Sequence, residues 1–167
     1  AEAEPLLRRV ISIFEKSLGE SHPNVATNLN NLAALLQDTN RLAEVEPLLR
    51  RAVAIFEKSL GENHPNVATS LNNLAALLQA TNRLAEAEPL LRRVISIFEK
   101  SLGPDHPKVA TALSGLAAHL QSMGAVDEAE TEYRKALERA PSDMAVLGDY
   151  AFFLQNSRQD FPGAHDL

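Results

Sequence analysis

Cysteine is absent from this 167-residue chain, which excludes a disulfide framework, a thiolate nucleophile and a cysteine-based zinc site. The absence fits a reducing compartment, and a cytoplasmic location is the expectation drawn from it. Aromatic residues supply only 5% of the sequence and β-branched runs are short, whereas Ala and Leu abound; that balance favours helix. Clusters of Lys and Arg are lacking as well. With a formal net charge of −6 the chain is poorly suited to neutralising phosphates, so no nucleic-acid partner is expected. No apolar run approaches the roughly 20 residues that span a bilayer, and Ala1-Glu2-Ala3-Glu4-Pro5 is not a signal peptide, so no membrane partner is expected either. Nothing matches a phosphate-binding loop or a dinucleotide fingerprint; Gly103-Pro104-Asp105 reads as an ordinary loop. What is present, 45% hydrophobic residues, is enough to build a packed core.

The apolar residues come in copies. Pro-Leu-Leu-Arg-Arg follows Glu4, Glu46 and Glu88, and Leu32 recurs as Leu74 and Leu116, a period of 42 residues. Such self-similarity marks a repeat array. The chain divides into a partial repeat over 1–21 that holds a second helix only, repeats over 22–62, 63–104 and 105–141, and a partial repeat over 142–167. The spacing shortens at the end, where Ala129 finds its counterpart at Ala164. Entry in mid-repeat predicts that the chain is a piece of a longer array.

Each full copy reads as two helices. Pro23 suits a first helical turn, where the amide donors have no partner; Ser21 or His22 is the cap, and the sequence leaves both open. Val25, Leu29, Leu32 and Leu36 form an apolar stripe, with Thr27, Asn30, Ala34 and Gln37 as a small polar stripe beside it. Asn40-Arg41 closes this helix. The second starts near Leu42 and places Pro47 in or just after the first turn, where no intrahelical donor is lost. Val45, Leu49, Ala52, Phe56 and Leu60 form its buried stripe, broadened by Leu48 and Ile55. Gly61 is expected to end it in the left-handed conformation. One hairpin cannot cover both apolar faces, and stacking the next one does.

Candidate chemistry mostly falls away. His22, His64 and His106 recur with the repeat, and neighbouring copies about a helix diameter apart cannot bring three imidazoles to ~2 Å from one metal ion; no metal or cofactor is expected. His119 and His165 have no nucleophile or carboxylate partner in sequence. The carboxylates Glu2 and Glu4, Glu44 and Glu46, Glu86 and Glu88 sit at helix starts, where the dipole favours negative charge. Arg8-Arg9, Arg50-Arg51 and Arg92-Arg93 read as a solvated outer face. No acid–base or nucleophile set survives, so no enzyme is expected.

Laid out in this way, the unit resembles the tetratricopeptide repeat. The family's signature positions fall on Leu29, Leu32, Ala33, Leu36, Val45, Leu49 and Ala52, on Leu71, Leu74, Ala75, Leu78, Ala87, Leu91 and Val94, on Leu113, Leu116, Ala117, Leu120, Ala129, Tyr133 and Ala136 with Pro141 as closing proline, and in the last part-copy on Leu147, Tyr150, Ala151, Leu154 and Ala164. The 42-residue length and the Asn-Asn-Leu-Ala-Ala-Leu wording are most similar to the kinesin-light-chain type. The resemblance implies an all-α fold, an α-solenoid of antiparallel helix pairs wound as a right-handed superhelix. It also implies a scaffold whose first helices line a concave groove for a peptide or partner helix. Carried over, the groove positions are Thr27, Asn30, Asn31 and Gln37; Thr69, Asn72, Asn73 and Gln79; and Thr111, Ser114 and Gln121. Asn and Gln both donate and accept, which suits them to a peptide backbone of any sequence. Asn30 and Asn72 are expected to look into the shared hollow. Family members that capture chaperone tails place Lys and Arg on this face; here Thr, Asn and Ala stand there, so capture of such a tail is not expected. Phe152 falls at a groove position of the last copy. Both ends should expose apolar surface, which predicts end-to-end contacts, helix exchange or dimerisation, and self-assembly is the alternative role.

Overall fold

The computed structural model describes residues 2–157; Ala164, His165 and the end of the last part-copy lie outside the described residues. Eight helices and no strand occur among them: α1 (Ala3–Leu18), α2 (Pro23–Asp38), α3 (Leu42–Leu60), α4 (Pro65–Ala80), α5 (Leu84–Leu102), α6 (Pro107–Ser122), α7 (Val126–Arg139) and α8 (Met144–Ser157). This is the all-α, paired-helix architecture of a solenoid. Contacts divide the chain into two compact units, one running to Ile97 and the other beginning at Phe98, with the division inside α5.

The helix starts are set by the recurring histidines. His22 and His64 take extended backbone angles, and each Nδ1 accepts the amide of Asn24 at 3.2 Å or Asn66 at 3.1 Å. His106 does the same for Lys108 at 3.1 Å. His22, not Ser21, is therefore the cap, and an imidazole accepts there only with its proton on Nε2. The prolines that follow occupy the first helical position, where a missing donor is harmless.

The other ends of α2, α4 and α6 close alike. Asn40 and Asn82 adopt φ of 58° and 59°, and Gly124 takes φ 79° in the same place. Behind them Arg41, Arg83 and Ala125 donate to Leu36, Leu78 and Leu120, at 2.9, 2.7 and 3.0 Å. This reversal satisfies carbonyls that the helix end leaves without partners. Gly61 has φ 92° and ψ 152°, so it stops α3 in an extended positive-φ conformation and not in the left-handed helical one expected. Pro47 also departs from expectation. With α3 starting at Leu42, it is the sixth residue and lies inside the helix; it removes a bond that Ala43 would have accepted. Ala43 is exposed, so its carbonyl meets water.

In the first unit α2 packs most extensively on α3, and α3 and α1 each pack on the helix that follows. The stripe Val25, Leu29, Leu32 and Leu36 is buried, as are Val45, Leu49, Ala52, Ile55 and Phe56. Leu60 is the exception at 36% exposure, because it falls on the last turn of α3. Charged residues tie successive copies across these seams. Arg41 joins Glu4 and Glu44, both at 2.6 Å, and Arg83 repeats this with Glu46 at 2.6 Å and Glu86 at 2.7 Å. Arg51 reaches back to Glu15 and Arg93 to Glu57. Glu4 and Glu46 are thus inter-repeat nodes as well as helix-start charges.

In the second unit α6 packs on α7, and α8 lies against both. Asp143 caps α8 by accepting from the Ala145 amide at 2.9 Å. Its buried residues are Val146 and Phe153, not the expected Leu147, Tyr150, Ala151 and Leu154; Leu147 is 40% exposed. The face carrying Val146 and Phe153 turns toward α6 and α7, and no helix follows among the described residues to cover the other. Phe153 joins Tyr133 and Tyr150 in an aromatic cluster with centroids 5.1–6.1 Å apart, whereas Phe152 is 64% exposed.

Candidate functional site

In the first unit α2 and α4 lie across α3 and leave a cleft of ≈ 260 Å³ between them. Thr27, Asn30, Asn31 and Ala34 line it from α2, Asn66, Thr69 and Asn73 from α4, and Phe56 from α3. No charged side chain is in that lining. Five of the sequence-predicted groove residues therefore come together: Thr27, Asn30, Asn31, Thr69 and Asn73.

Their hydrogen-bonding states differ. The Thr27 and Thr69 hydroxyls each donate to the carbonyl one turn back, Pro23 or Pro65, at 3.2 Å. Their oxygens keep lone pairs for an incoming donor. Asn31 and Asn73 carry amides that can both donate and accept. Asn30 is partly committed elsewhere: its Nδ2 donates to the buried Ser70 hydroxyl on α4 at 2.7 Å, and its Oδ1 is buried without a partner. It fastens α2 to α4 as well as lining the cleft.

The remaining positions are placed differently. Asn72 is exposed and outside the cleft lining, and Gln37 and Gln79 are half-buried nearer the helix ends. In the second unit Thr111 is exposed and Gln121 half-buried. Ser114 is only 3% exposed, and its hydroxyl donates to Asp149 on α8 at 2.7 Å. It belongs to the packing and is not presented to a partner. Ser114 and Gly115 stand where the first two copies have Asn30-Asn31 and Asn72-Asn73, so the amide pair does not continue. Sequence reasoning missed Phe56 and Asn66. Phe56 reads as core, which it also is, and Asn66 has only its place beside the helix-starting proline as a signal.

Electrostatic perturbation lies outside the cleft. Hydrogen bonds from Arg8 and then Arg41 hold the Glu4 carboxyl below the ordinary range; Arg83 and Arg50 do so for Glu46, and Arg83 for Glu86. Glu86 and Glu46 in turn raise Arg83. Burial pushes the Tyr133 phenol up, with the Asp149 charge adding to it. Among the described residues no three His, Asp or Glu side chains are grouped to hold a metal ion, and no helix is long and apolar enough to cross a membrane.

Comparison with known proteins bears on this arrangement. The tetratricopeptide-repeat family model matches residues 1–58, 37–100 and 67–142. A solved structure from Podosopora anserina, described as a kinesin light chain with nearly identical TPR-like repeats, is similar at 30% identity and a TM-score of 0.80, covering 95% of this chain and 79% of that one. BtubC from P. vanneervenii is similar in fold at 19% identity and a TM-score of 0.70, over 99% of this chain and 78% of that one. The first TPR of Spaghetti, solved with the HSP90 peptide SRMEEVD, has 14% identity and a TM-score of 0.60, over 82% of this chain and 96% of that one. No match is found among curated proteins.

Proposed function

The chain belongs to the tetratricopeptide-repeat family of protein-interaction scaffolds, and from that membership we propose that its first unit binds an uncharged, extended peptide segment in the cleft between α2 and α4. The observation that carries this reading is the cleft lining: amides and hydroxyls over Phe56, with no cation. Asn31 and Asn73 would pair with the peptide backbone, and Thr27 and Thr69 would accept its amides. Specificity would come from the side chain seated against Phe56. An acidic tail such as the SRMEEVD peptide bound by Spaghetti finds no counter-charge here, since carboxylate recognition draws on Arg or Lys. The net charge of −6 likewise argues against nucleic acid, and we place the scaffold in the cytoplasm as a non-enzymatic component.

Selection of binders from a random peptide library tests this. Selected peptides should be neutral, and Asn31→Lys with Asn73→Lys should weaken them at least tenfold at unchanged helix content. Peptides that bind equally well to that variant would refute the cleft. A second reading, self-association, is favoured by the exposure of Leu6 and Ile13 on α1.

A further inference from the structure

Asn30 and Ser70 form an incomplete pair. Asn30 Nδ2 donates to the Ser70 hydroxyl at 2.7 Å across the seam between α2 and α4. Ser70 is wholly buried, and Asn30 Oδ1 is buried with no partner. Turning the Asn30 amide over would let Ser70 donate to Oδ1, but it would strand Nδ2 in the same way. One hydroxyl cannot satisfy both ends of a primary amide, and the unpaired end has lost its bonds to water.

Ser70 forgoes a bond as well. Other serines on these helices donate to the carbonyl one turn back: Ser17 to Ile13 at 2.8 Å, Ser59 to Ile55 at 2.6 Å and Ser157 to Phe153 at 2.9 Å. Thr69, beside Ser70, does so with Pro65 at 3.2 Å. Ser70 instead accepts from Asn30, and its own proton has no acceptor among the described residues. The repeat does not demand a hydroxyl at this position, since Asn28 stands one period before Ser70 and Ala112 one period after.

Asn30 is the member of the pair that reaches the cleft, where it is one of the lining residues. A peptide group offers one N–H and one C=O, the complement of a primary amide. An Asn30 amide released from Ser70 can therefore bond a peptide at both ends. Ser70, once released, can donate to the Asn66 carbonyl one turn back. Each of the two groups left without a partner then gains one.

We propose that Ser70 is a positioning residue for the cleft: it holds the Asn30 amide closed, and an extended peptide opens the pair by taking that amide over. The role presupposes the peptide reading of the cleft. Because only the released amide binds fully, the apparent affinity is the intrinsic one scaled by the open fraction.

Calorimetry tests it, with an uncharged peptide selected on the wild-type 167-residue chain from a random library lacking Asp, Glu, Lys, Arg and His. Ser70→Ala should bind that peptide several-fold more tightly than the wild type at unchanged helix content. Asn30→Ala should bind it several-fold more weakly. In the Asn30→Ala background Ser70→Ala should leave the affinity unchanged, because no amide remains to be held. An effect of Ser70→Ala that persists in that background would mark a merely structural role and overturn the proposal. So would a Ser70→Ala variant that binds as the wild type does or more weakly; the cleft stands in that case if Asn31→Lys with Asn73→Lys still weakens the peptide. A peptide indifferent to the paired lysine variant, or a library that yields no binder, overturns both.

Discussion

Replacing Asn30 with Ala should stabilise the protein. The substitution removes the bond from Asn30 to the Ser70 hydroxyl, a loss of about 1 kcal/mol for a neutral pair. The Ser70 hydroxyl, buried on α4, can turn to the carbonyl one turn back, as Thr69 beside it does with Pro65. Against that loss, the substitution deletes the Asn30 Oδ1, a buried acceptor with no partner. Such an orphan costs ~1–3 kcal/mol. Ala is also better than Asn in the middle of a helix by roughly 0.5 kcal/mol. The balance is a gain on the order of 1 kcal/mol. Urea unfolding reads it as a higher midpoint at constant slope; with a slope of ~2 kcal/mol/M the shift is about 0.5 M. A midpoint lowered by the same amount would refute the reasoning, because it would mean that Oδ1 is satisfied in solution. If the peptide proposal holds, the same variant should bind selected peptides less well although it is more stable, which separates recognition from folding.

His64→Ala should cost about 1 kcal/mol through loss of the α4 cap, and His64→Ser should recover most of it, both by thermal unfolding. Leu74→Ala opens a void where α4 meets α3 and should cost roughly 2–5 kcal/mol in denaturant titration; a cost below that of the cap would contradict the burial seen there. Because Arg83 and Arg50 hold Glu46 below the usual carboxyl range, its contribution is present above the ordinary value of 4.5 and fades as pH falls through the lower folded value. Arg83→Gln should therefore match the wild type at low pH and lie slightly below it at neutral pH, which flattens the acid limb by the same small amount, since exposed pairs contribute little.

The local period was readable because it depends only on neighbours in the chain: Val25, Leu29, Leu32 and Leu36 share a face whatever lies opposite. Readings that needed a partner far along the sequence were harder. Glu46 looked like a helix-start carboxylate because Arg83, 37 residues away, is adjacent only once α3 and α4 are packed. Ser114 seemed a groove residue by its place in the repeat, yet Asp149 on α8 draws it into the seam. The stripe of α8 was assigned by its signature letters, while the helices available to it cover Val146 and Phe153 instead. The start of α3 near Leu42 and the place of Pro47 just past its first turn were legible; the miss is that the sixth residue already faces the Ala43 carbonyl, so a bond is lost there. The cleft was legible as far as its amides; its Phe56 floor was concealed by a residue type that reads as interior.

Residues 3–18 and 87–102 spell the same sixteen letters, AEPLLRRVISIFEKSL, yet differ in their tolerance to change, since Ile97 is 2% exposed and Ile13 53%. An aspartate at Ile97 would strand a charge in a sealed interior, whereas the same substitution at Ile13 meets open solvent on the isolated chain. Within this chain, identical text is therefore under unequal constraint for folding. In a saturation-mutagenesis scan for folding, the profiles of 3–18 and 87–102 should part company at Ile13 and Ile97.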